Sequence, residues 1–120
     1  MRTAVIILGH GSRRQGAGDP LRRLAAAVRQ RGGYALVEHA FIQYASPTFS
    51  EAVDRVVAAG AERVVVVPFF IQPGNHVTED IPRMVREAQG VHPSLSIRVS
   101  DHVGAHPLMA QIVEELVGQA

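Results

Sequence analysis

The chain has 120 residues, of which 47% are hydrophobic and 19% charged, and its net charge is +1. These values predict one globular domain over residues 1–120, and the balanced charge with few aromatic residues argues against a nucleic-acid partner. The sequence has no lysine and no cysteine, which excludes a P-loop nucleotide site, a Schiff-base lysine, thiol nucleophiles and cysteine-bound clusters. No apolar run suits a signal peptide or a membrane span, so we expect a cytoplasmic protein without a membrane partner.

Four short segments are predicted to be β-strands. The first is a run of five apolar residues, three of them β-branched, and the third is the most hydrophobic run and too short for a helix, which is typical of buried strands in a parallel sheet. Pro68 cannot donate a hydrogen bond to a neighbouring strand, so pairing of the third strand is expected to end or bend there. The predicted strands are Thr3–Leu8, Leu36 to about Gln43, Arg63–Phe70 and Ser96 to about Ser100.

An apolar stripe at helical spacing follows each of the first two strands. The first helix is predicted to begin with Asp19 as its cap and Pro20 in its first turn, and to end before Gly32 and Gly33. The second helix has two alternative starts. Either Ser46 and Pro47 repeat the cap-then-proline pattern, or Thr48 and Glu51 form a capping box.

The third helix is predicted to begin after Thr78 as its cap, and the fourth to begin near Pro107. The fourth helix carries a stripe of Met109, Ile112, Val113 and Leu116. Four strands alternating with four helices predict an α/β domain of the order βαβαβαβα. Its sheet is expected to be mostly parallel, with helices on both faces.

Polar side chains follow the ends of all four predicted strands. They are His10, Gln43, His76 and His102. Because parallel strands end at the same edge of a sheet, we expect these four residues to converge there, where α/β proteins bind ligands. His39 lies inside a strand and is expected to be packed, whereas His92 is expected to be solvated and His106 to help start the last helix.

The turn after the first strand resembles two nucleotide motifs without matching either. Arg14 occupies the third glycine position of a dinucleotide fingerprint, and the Lys-Ser/Thr pair of a P-loop is missing. A different possibility is phosphorylation of His10 beside Arg13 and Arg14, because arginine suits phosphate. That phosphotransfer hypothesis leaves His76 without a role.

Histidines at this edge are suited to divalent metals. Neutral imidazole binds transition metals and also serves as a general base near neutral pH. Gly9, Gly11 and Gly74 would let a ligand approach the backbone closely. Arg13 and Arg14 could pair with carboxylates of a ligand, and the apolar residues Phe69, Phe70 and Ile71 could form a wall beside it.

The chain resembles the short CbiX-type sirohydrochlorin chelatases, and the similarity covers essentially its whole length. The paired G-H-G-S-R and G-x-H-x-x-x-D-I-P motifs, in this order, are fairly specific. The residues that carry the resemblance are Ile7-Leu8-Gly9-His10-Gly11-Ser12-Arg13, Ser46-Pro47-Thr48, Val67-Pro68-Phe69-Phe70, Gly74-Asn75-His76, Asp80-Ile81-Pro82 and Gly104-Ala105-His106-Pro107.

The resemblance implies a homodimer that encloses a tetrapyrrole cleft and inserts a divalent metal into sirohydrochlorin without ATP. It places the metal-handling and catalytic histidines on His10 and His76. Cobalt is the expected metal, with nickel and iron as alternatives. The predicted contacts to the tetrapyrrole are Ser12, Arg13, Gln43, Gly74 and Asn75.

Gln43 is a departure from the family pattern, which usually has a glutamate at this position. Its neutral amide removes a possible proton acceptor or metal partner from the edge of the sheet. A non-catalytic carrier of a tetrapyrrole or a metal on the same scaffold is therefore the main alternative function.

Overall fold

Four parallel strands form one sheet in the order β2-β1-β3-β4 in this computed structural model, which describes residues 2–120 and, for His76, the backbone alone. The strands are β1 (Thr3–Gly9), β2 (Val37–Phe41), β3 (Arg63–Pro68) and β4 (Ser96–Val99). The helices are α1 (Asp19–Arg31), α2 (Phe49–Ala58), α3 (Asn75–Val91) and α4 (Leu108–Gln119), and a 3₁₀ turn spans Val103–Ala105. The predicted element order and parallel sheet are confirmed.

Alternate residues of the central strand β1 point to opposite faces of the sheet, as strand geometry requires. Ile6 and Leu8 pack into a cluster with residues of α2 and α3, whereas Val5 and Ile7 pack with residues of α1. The predicted placement of helices on both faces is therefore confirmed. The larger part of the core lies on the α2–α3 face, and α1 alone supplies the helical residues of the cluster on the other face.

The starts of the first two helices are decided by hydrogen bonds. Gly18, rather than Asp19, caps α1, and the carboxylate of Asp19 instead accepts a hydrogen bond from Arg22 at 3.0 Å. In α2 the capping box forms: the Glu51 N–H donates to Oγ1 of Thr48 at 3.2 Å, and the Thr48 N–H donates to Oε1 of Glu51 at 2.8 Å. Of the two predicted alternatives, the start at Thr48 is therefore confirmed.

Two predicted boundaries in the second half of the chain were wrong. α3 begins at Asn75, because the Thr78 N–H donates to the Gly74 carbonyl at 3.1 Å and closes a helical turn before the predicted cap. β3 ends at Pro68, two residues before the predicted end. Phe69 still donates its N–H to the Leu8 carbonyl at 2.8 Å, after which the chain leaves the sheet.

The fourth helix forms where predicted, but its apolar stripe does not join the core. Ile112, Val113 and Leu116 are 45%, 57% and 59% exposed, and only Met109 of the stripe is half-buried. The turn before α4 is held at the carboxyl edge of the sheet, where the Gly104 N–H donates to the Phe70 carbonyl at 2.9 Å. Among residues 2–120, no helix is long and apolar enough to cross a membrane.

Candidate functional site

The turn after β1 forms the centre of the carboxyl edge. Gly11 has a φ of +98°, which L-residues rarely adopt, and a Cβ at this position would overlap the carbonyl of Gln43. Glycine is therefore required at this position by its backbone conformation and because there is no room for a side chain. The turn lies close against the loop after β2, and His10 is exposed between them and the loop after β3.

Backbone hydrogen bonds join the loops that follow the four strands. The Gln43 N–H donates to the His10 carbonyl at 3.1 Å, which connects the loop after β2 to the turn after β1. The bond from Phe69 to Leu8 connects β3 to β1, and the bond from Gly104 to Phe70 connects the loops after β4 and β3. The loops that contain His10, Gln43 and His102 are thus brought together, as predicted from the parallel sheet.

The backbone of His76 lies at the same edge of the sheet. Its main chain is in the first turn of α3, the helix that follows β3, while its side chain lies outside the described part of the structure. Gly74 caps this helix and Asn75 is its first residue, and both are exposed. Gly74 and Asn75 are therefore accessible to a ligand at the start of α3, as their predicted role requires.

The ring of His10 stands against Phe70, with ring centroids 6.5 Å apart and an interplanar angle of 82°. Nδ1 of His10 makes a long contact of 3.4 Å with the carbonyl of Gly11. A proton on Nδ1 would point to this carbonyl and leave the lone pair on Nε2, the nitrogen that a metal would bind. Among the described side chains, none hydrogen-bonds Nε2.

An open groove of about 560 Å³ lies beside His10. The turn after β1 forms one side of it, and the beginning of α1 together with Phe41 and Phe69 forms the rest. Its lining is mostly apolar, with His10 and Ser12 as the polar side chains. This combination suits a flat apolar ligand that needs a nitrogen ligand at one point of its surface.

Arg13 is held by a contact that sequence reasoning missed. Its guanidinium carbon lies 4.2 Å from the centre of the Tyr44 ring, and Tyr44 adopts a left-handed φ of 67°. The neighbouring Ser12 accepts a hydrogen bond on Oγ from the Arg14 N–H at 3.0 Å, which shapes the same turn. Because Tyr44 directly follows Gln43, its place at the edge could have been predicted, but its stacking on Arg13 depends on the contact between two loops.

Three other histidines, at positions 39, 92 and 106, have structural partners. His39 is half-buried with its ring 5.7 Å from that of Phe41, and burial lowers its pKa below the ordinary 6.5. His106 accepts a hydrogen bond on Nδ1 from the Leu108 N–H at 3.1 Å and so helps start α4, as predicted. His92 was expected to be solvated, which was wrong: its Nε2 lies 2.8 Å from Oδ1 of Asp54 and connects the end of α3 to α2.

Within the part of the chain that the structure describes, no three metal-binding side chains come together in a cluster. His10 is accordingly the described side chain at the groove with the chemistry to bind a transition metal. His76, whose backbone lies at the start of α3, is a second histidine at the same edge of the sheet.

Comparison with known proteins supports one family. The CbiX family model matches residues 4–120. A chloroplastic sirohydrochlorin ferrochelatase of Arabidopsis thaliana is 34% identical over 113 residues, which cover 94% of this chain and 50% of that protein. A sirohydrochlorin cobaltochelatase of Methanocaldococcus jannaschii is 38% identical over 82 residues, which cover 68% of this chain and 57% of that protein.

The fold also has a solved counterpart. The crystal structure of a CbiX protein from Marinobacter aquaeolei, named for cobalamin (vitamin B12) biosynthesis, superposes with a TM-score of 0.86 at 25% identity. The match covers 98% of this chain and 95% of that one. By contrast, the chain spans only 50% and 57% of the two curated relatives.

Proposed function

The chain belongs to the CbiX family, and on that premise we propose that it is a cytoplasmic chelatase that inserts a divalent metal into sirohydrochlorin without ATP. The observation that carries the proposal is the position of His10. Its imidazole is exposed at the centre of the carboxyl edge, beside an apolar groove of about 560 Å³ that suits a flat macrocycle.

Metal insertion requires two events at one place. The metal must exchange its water ligands for the nitrogens of the macrocycle, and two pyrrolic protons must leave. His10 and His76 contact the incoming metal in this proposal, one of them accepts one of the two protons, and the other proton passes to solvent at the open groove. Two protein ligands leave coordination positions open to water and to the macrocycle, as an exchangeable site needs.

The acidic periphery of the macrocycle explains the polar residues around the groove. Arg13, held over the ring of Tyr44, pairs with a peripheral carboxylate, because a guanidinium matches a carboxylate in two parallel hydrogen bonds. Ser12 lies in the lining of the groove. The further proposed contacts to the tetrapyrrole are Gln43, Gly74 and Asn75.

We propose cobalt as the metal, with nickel and iron as alternatives. The curated relatives named above are a cobaltochelatase and a ferrochelatase, so both metals are represented among similar proteins. Imidazole accepts all three metals, and their order of affinity alone does not set selectivity. We also propose a homodimer, because the groove is open and a single copy leaves one side of a large planar substrate exposed.

A carrier function is the second candidate, and Gln43 favours it. The amide of Gln43 cannot accept a proton as the glutamate usual in the family would. A protein that binds sirohydrochlorin or a metal at this edge but turns over slowly would fit that change.

The test is an anaerobic absorption time course with sirohydrochlorin and, in separate runs, Co²⁺, Ni²⁺ and Fe²⁺. Wild type is compared with His10→Ala, His76→Ala and the control His92→Gln, which changes a histidine that bonds Asp54 on α2. We expect metal-dependent conversion above the protein-free rate in wild type and the control, and its loss in the other two variants. Conversion retained in His10→Ala would refute the proposed role of that residue.

Binding without conversion in wild type would favour the carrier. In that event Gln43→Glu is the decisive variant, because it restores a proton acceptor at the same position. If Gln43→Glu converts sirohydrochlorin where wild type does not, the amide of Gln43 is the cause of the lost metal insertion.

A further inference from the structure

The charges of the chain are unevenly distributed. Residues 13–31, which form the turn before α1 and α1 itself, contain six of the twelve arginines and one of the eleven acidic residues, a net charge of +5. The rest of the chain has six arginines and ten acidic residues, a net charge of −4. We call the basic part the α1 arginine surface, and all its members are exposed: Arg13, Arg14, Arg22, Arg23, Arg29 and Arg31.

Five of these six arginines have no carboxylate partner within the described part of the chain. Arg22 is the exception, since its Nη2 lies 3.0 Å from Oδ1 of Asp19. Arg29 donates from Nη2 to the carbonyl of Val37 at 2.6 Å, which holds the side chain in place without neutralising its charge. The surface therefore presents uncompensated positive charge to solvent.

The α1 arginine surface adjoins the groove beside His10. The first turns of α1 line this groove with side chains that include Pro20 and Leu24, and the exposed Arg23 directly precedes Leu24. Arg31 lies eight residues further along the helix, which is about 12 Å. A negatively charged molecule that approaches the groove from the side of α1 is therefore attracted along the helix.

The titration of a neighbouring strand reflects the same positive potential. Burial is the main reason why the pKa of the imidazole of His39 on β2 is lowered. The charges of Arg22 and Arg29, together with Arg55 of α2, lower this pKa further, and the adjacent Glu38 opposes them. The potential of α1 thus extends to the edge strand of the sheet.

We propose that the α1 arginine surface steers a macrocycle with several peripheral carboxylates into the groove beside His10. The inference rests on the proposed function and deepens it, because it names the surface along which sirohydrochlorin, with its acetate and propionate groups, approaches. Arg23 and Arg31 act on the free substrate during its approach. Arg13, by contrast, pairs with the ring once it is bound.

Helix stability alone does not account for this distribution of charge. Arg29 and Arg31 lie in the last turn of α1, where a cation interacts favourably with the helix dipole. Arg23 lies near the start of the helix, where the dipole offers a cation no such gain. Gln43, on the loop bonded to the turn after β1, is neutral and adds no negative charge that would repel a carboxylate.

Steering by charges at the border of a site has a defined kinetic signature. Such charges change the association rate and its salt dependence more than the dissociation rate. Salt screens them over about 30 Å at 0.01 M and about 8 Å at 0.15 M. Charges as far from the groove as Arg31 therefore contribute at low ionic strength and are largely screened at high ionic strength.

Anaerobic stopped-flow mixing of the protein with metal-free sirohydrochlorin, followed by the absorption of the tetrapyrrole, tests the steering. For wild type we expect the association rate constant to fall about tenfold between 0.01 M and 0.3 M salt, the lower end of the range for steered encounters. The variant Arg23→Gln/Arg31→Gln should associate about threefold more slowly than wild type at 0.01 M and converge with it at 0.3 M. Its dissociation rate constant and its kcat for metal insertion should be those of wild type.

Two further variants separate charge from structure. Arg23→Lys/Arg31→Lys keeps both charges and should associate as wild type does. Arg86→Glu on α3, the helix on the other face of the sheet, removes the same two units of net charge from an exposed position and should slow association much less than Arg23→Gln/Arg31→Gln.

Association of wild type that does not depend on salt would overturn the inference. Equal slowing by Arg86→Glu and Arg23→Gln/Arg31→Gln would overturn it too, because net charge rather than the α1 arginine surface would then set the rate. Fast, salt-dependent association without metal insertion would refute the proposed chelatase activity alone. Metal insertion with association that is insensitive to salt would refute the steering alone, and a wild type that does not bind sirohydrochlorin would refute both.

Discussion

Gly11 connects the turn that carries His10 to the loop that carries Gln43, and its replacement tests whether this contact positions the site. A Cβ at Gly11 would overlap the Gln43 carbonyl, and the φ of +98° is unfavourable for alanine. Gly33 is a matched control. It has a similar φ of +93°, and a Cβ there would meet no atom within 4 Å among the described residues.

The two substitutions share one destabilising effect and differ in the other. Backbone strain at a left-handed position costs about 1–3 kcal/mol, which both variants should show. The overlap with Gln43 requires a backbone shift that costs roughly a further 1–3 kcal/mol, which only Gly11→Ala should show. At roughly 4 °C per kcal/mol for a chain of this size, Gly11→Ala should lower Tm by several degrees more than Gly33→Ala.

Thermal unfolding followed by circular dichroism measures the stability difference, and the sirohydrochlorin time course measures the effect on the site. At a temperature where both variants are folded, we expect Gly11→Ala to have lost metal insertion and Gly33→Ala to retain it. Equal Tm values for the two variants, or full activity in Gly11→Ala, would refute the reasoning that the two loops position each other.

Three further predictions concern residues that the structure singles out. Burial lowers the pKa of His39 below 6.5, so the neutral imidazole favours the folded state above that pH, and this contribution to the free energy of unfolding is lost as the pH falls. The variant His39→Gln should therefore lose less unfolding free energy than wild type between about pH 7 and pH 5. Thr48→Ala removes the capping box and should cost about 1 kcal/mol in urea unfolding, whereas Ser50→Ala in the same turn should change stability by less than about 0.5 kcal/mol. Tyr44→Leu removes the ring beside Arg13 and should raise the Kd for sirohydrochlorin about 2–5-fold, from a cation–π contact of about 0.5–1 kcal/mol, while Tyr44→Phe should bind as wild type does.

Each of these predictions has a contrary result. An unchanged pH profile in His39→Gln would mean that the imidazole is as easily protonated in the folded chain as in the unfolded one. Equal stabilities of the Thr48 and Ser50 variants would show that the capping box does not stabilise the protein. Equal Kd values for Tyr44→Leu and wild type would show that Arg13 does not depend on the ring.

Local sequence patterns were sufficient to predict most of the fold. Strand and helix periodicity predicted the four strands and four helices in their order along the chain, because the spacing of apolar residues records which face an element can bury. The convergence of His10 and Gln43 followed from strand direction alone, since all four strands are parallel. The misplaced start of α3 arose because Thr78 resembles a cap, while the bond that starts the helix is made between backbone atoms and leaves no mark in the sequence.

Contacts between distant loops could not be predicted in this way. The pairing of His92 with Asp54 joins residues that are 38 positions apart, and the stacking of Arg13 on Tyr44 joins two loops across the sheet edge. Neither contact follows a local period. Each depends on which helices and loops the sheet order brings side by side.

The sequence by itself determined the α/β architecture, the parallel strands and the edge at which the loops of His10, Gln43 and His102 meet, because these depend on local periodicity and chain direction. Only the tertiary structure decided which surfaces remain uncovered. The stripe of α4 has the same periodicity as a core-facing helix, yet it is exposed because the turn at Gly104 is bound at the edge of the sheet. The spacing of apolar residues shows only that a helix has an apolar face. Whether that face is buried depends on the direction in which the preceding turn leads the helix.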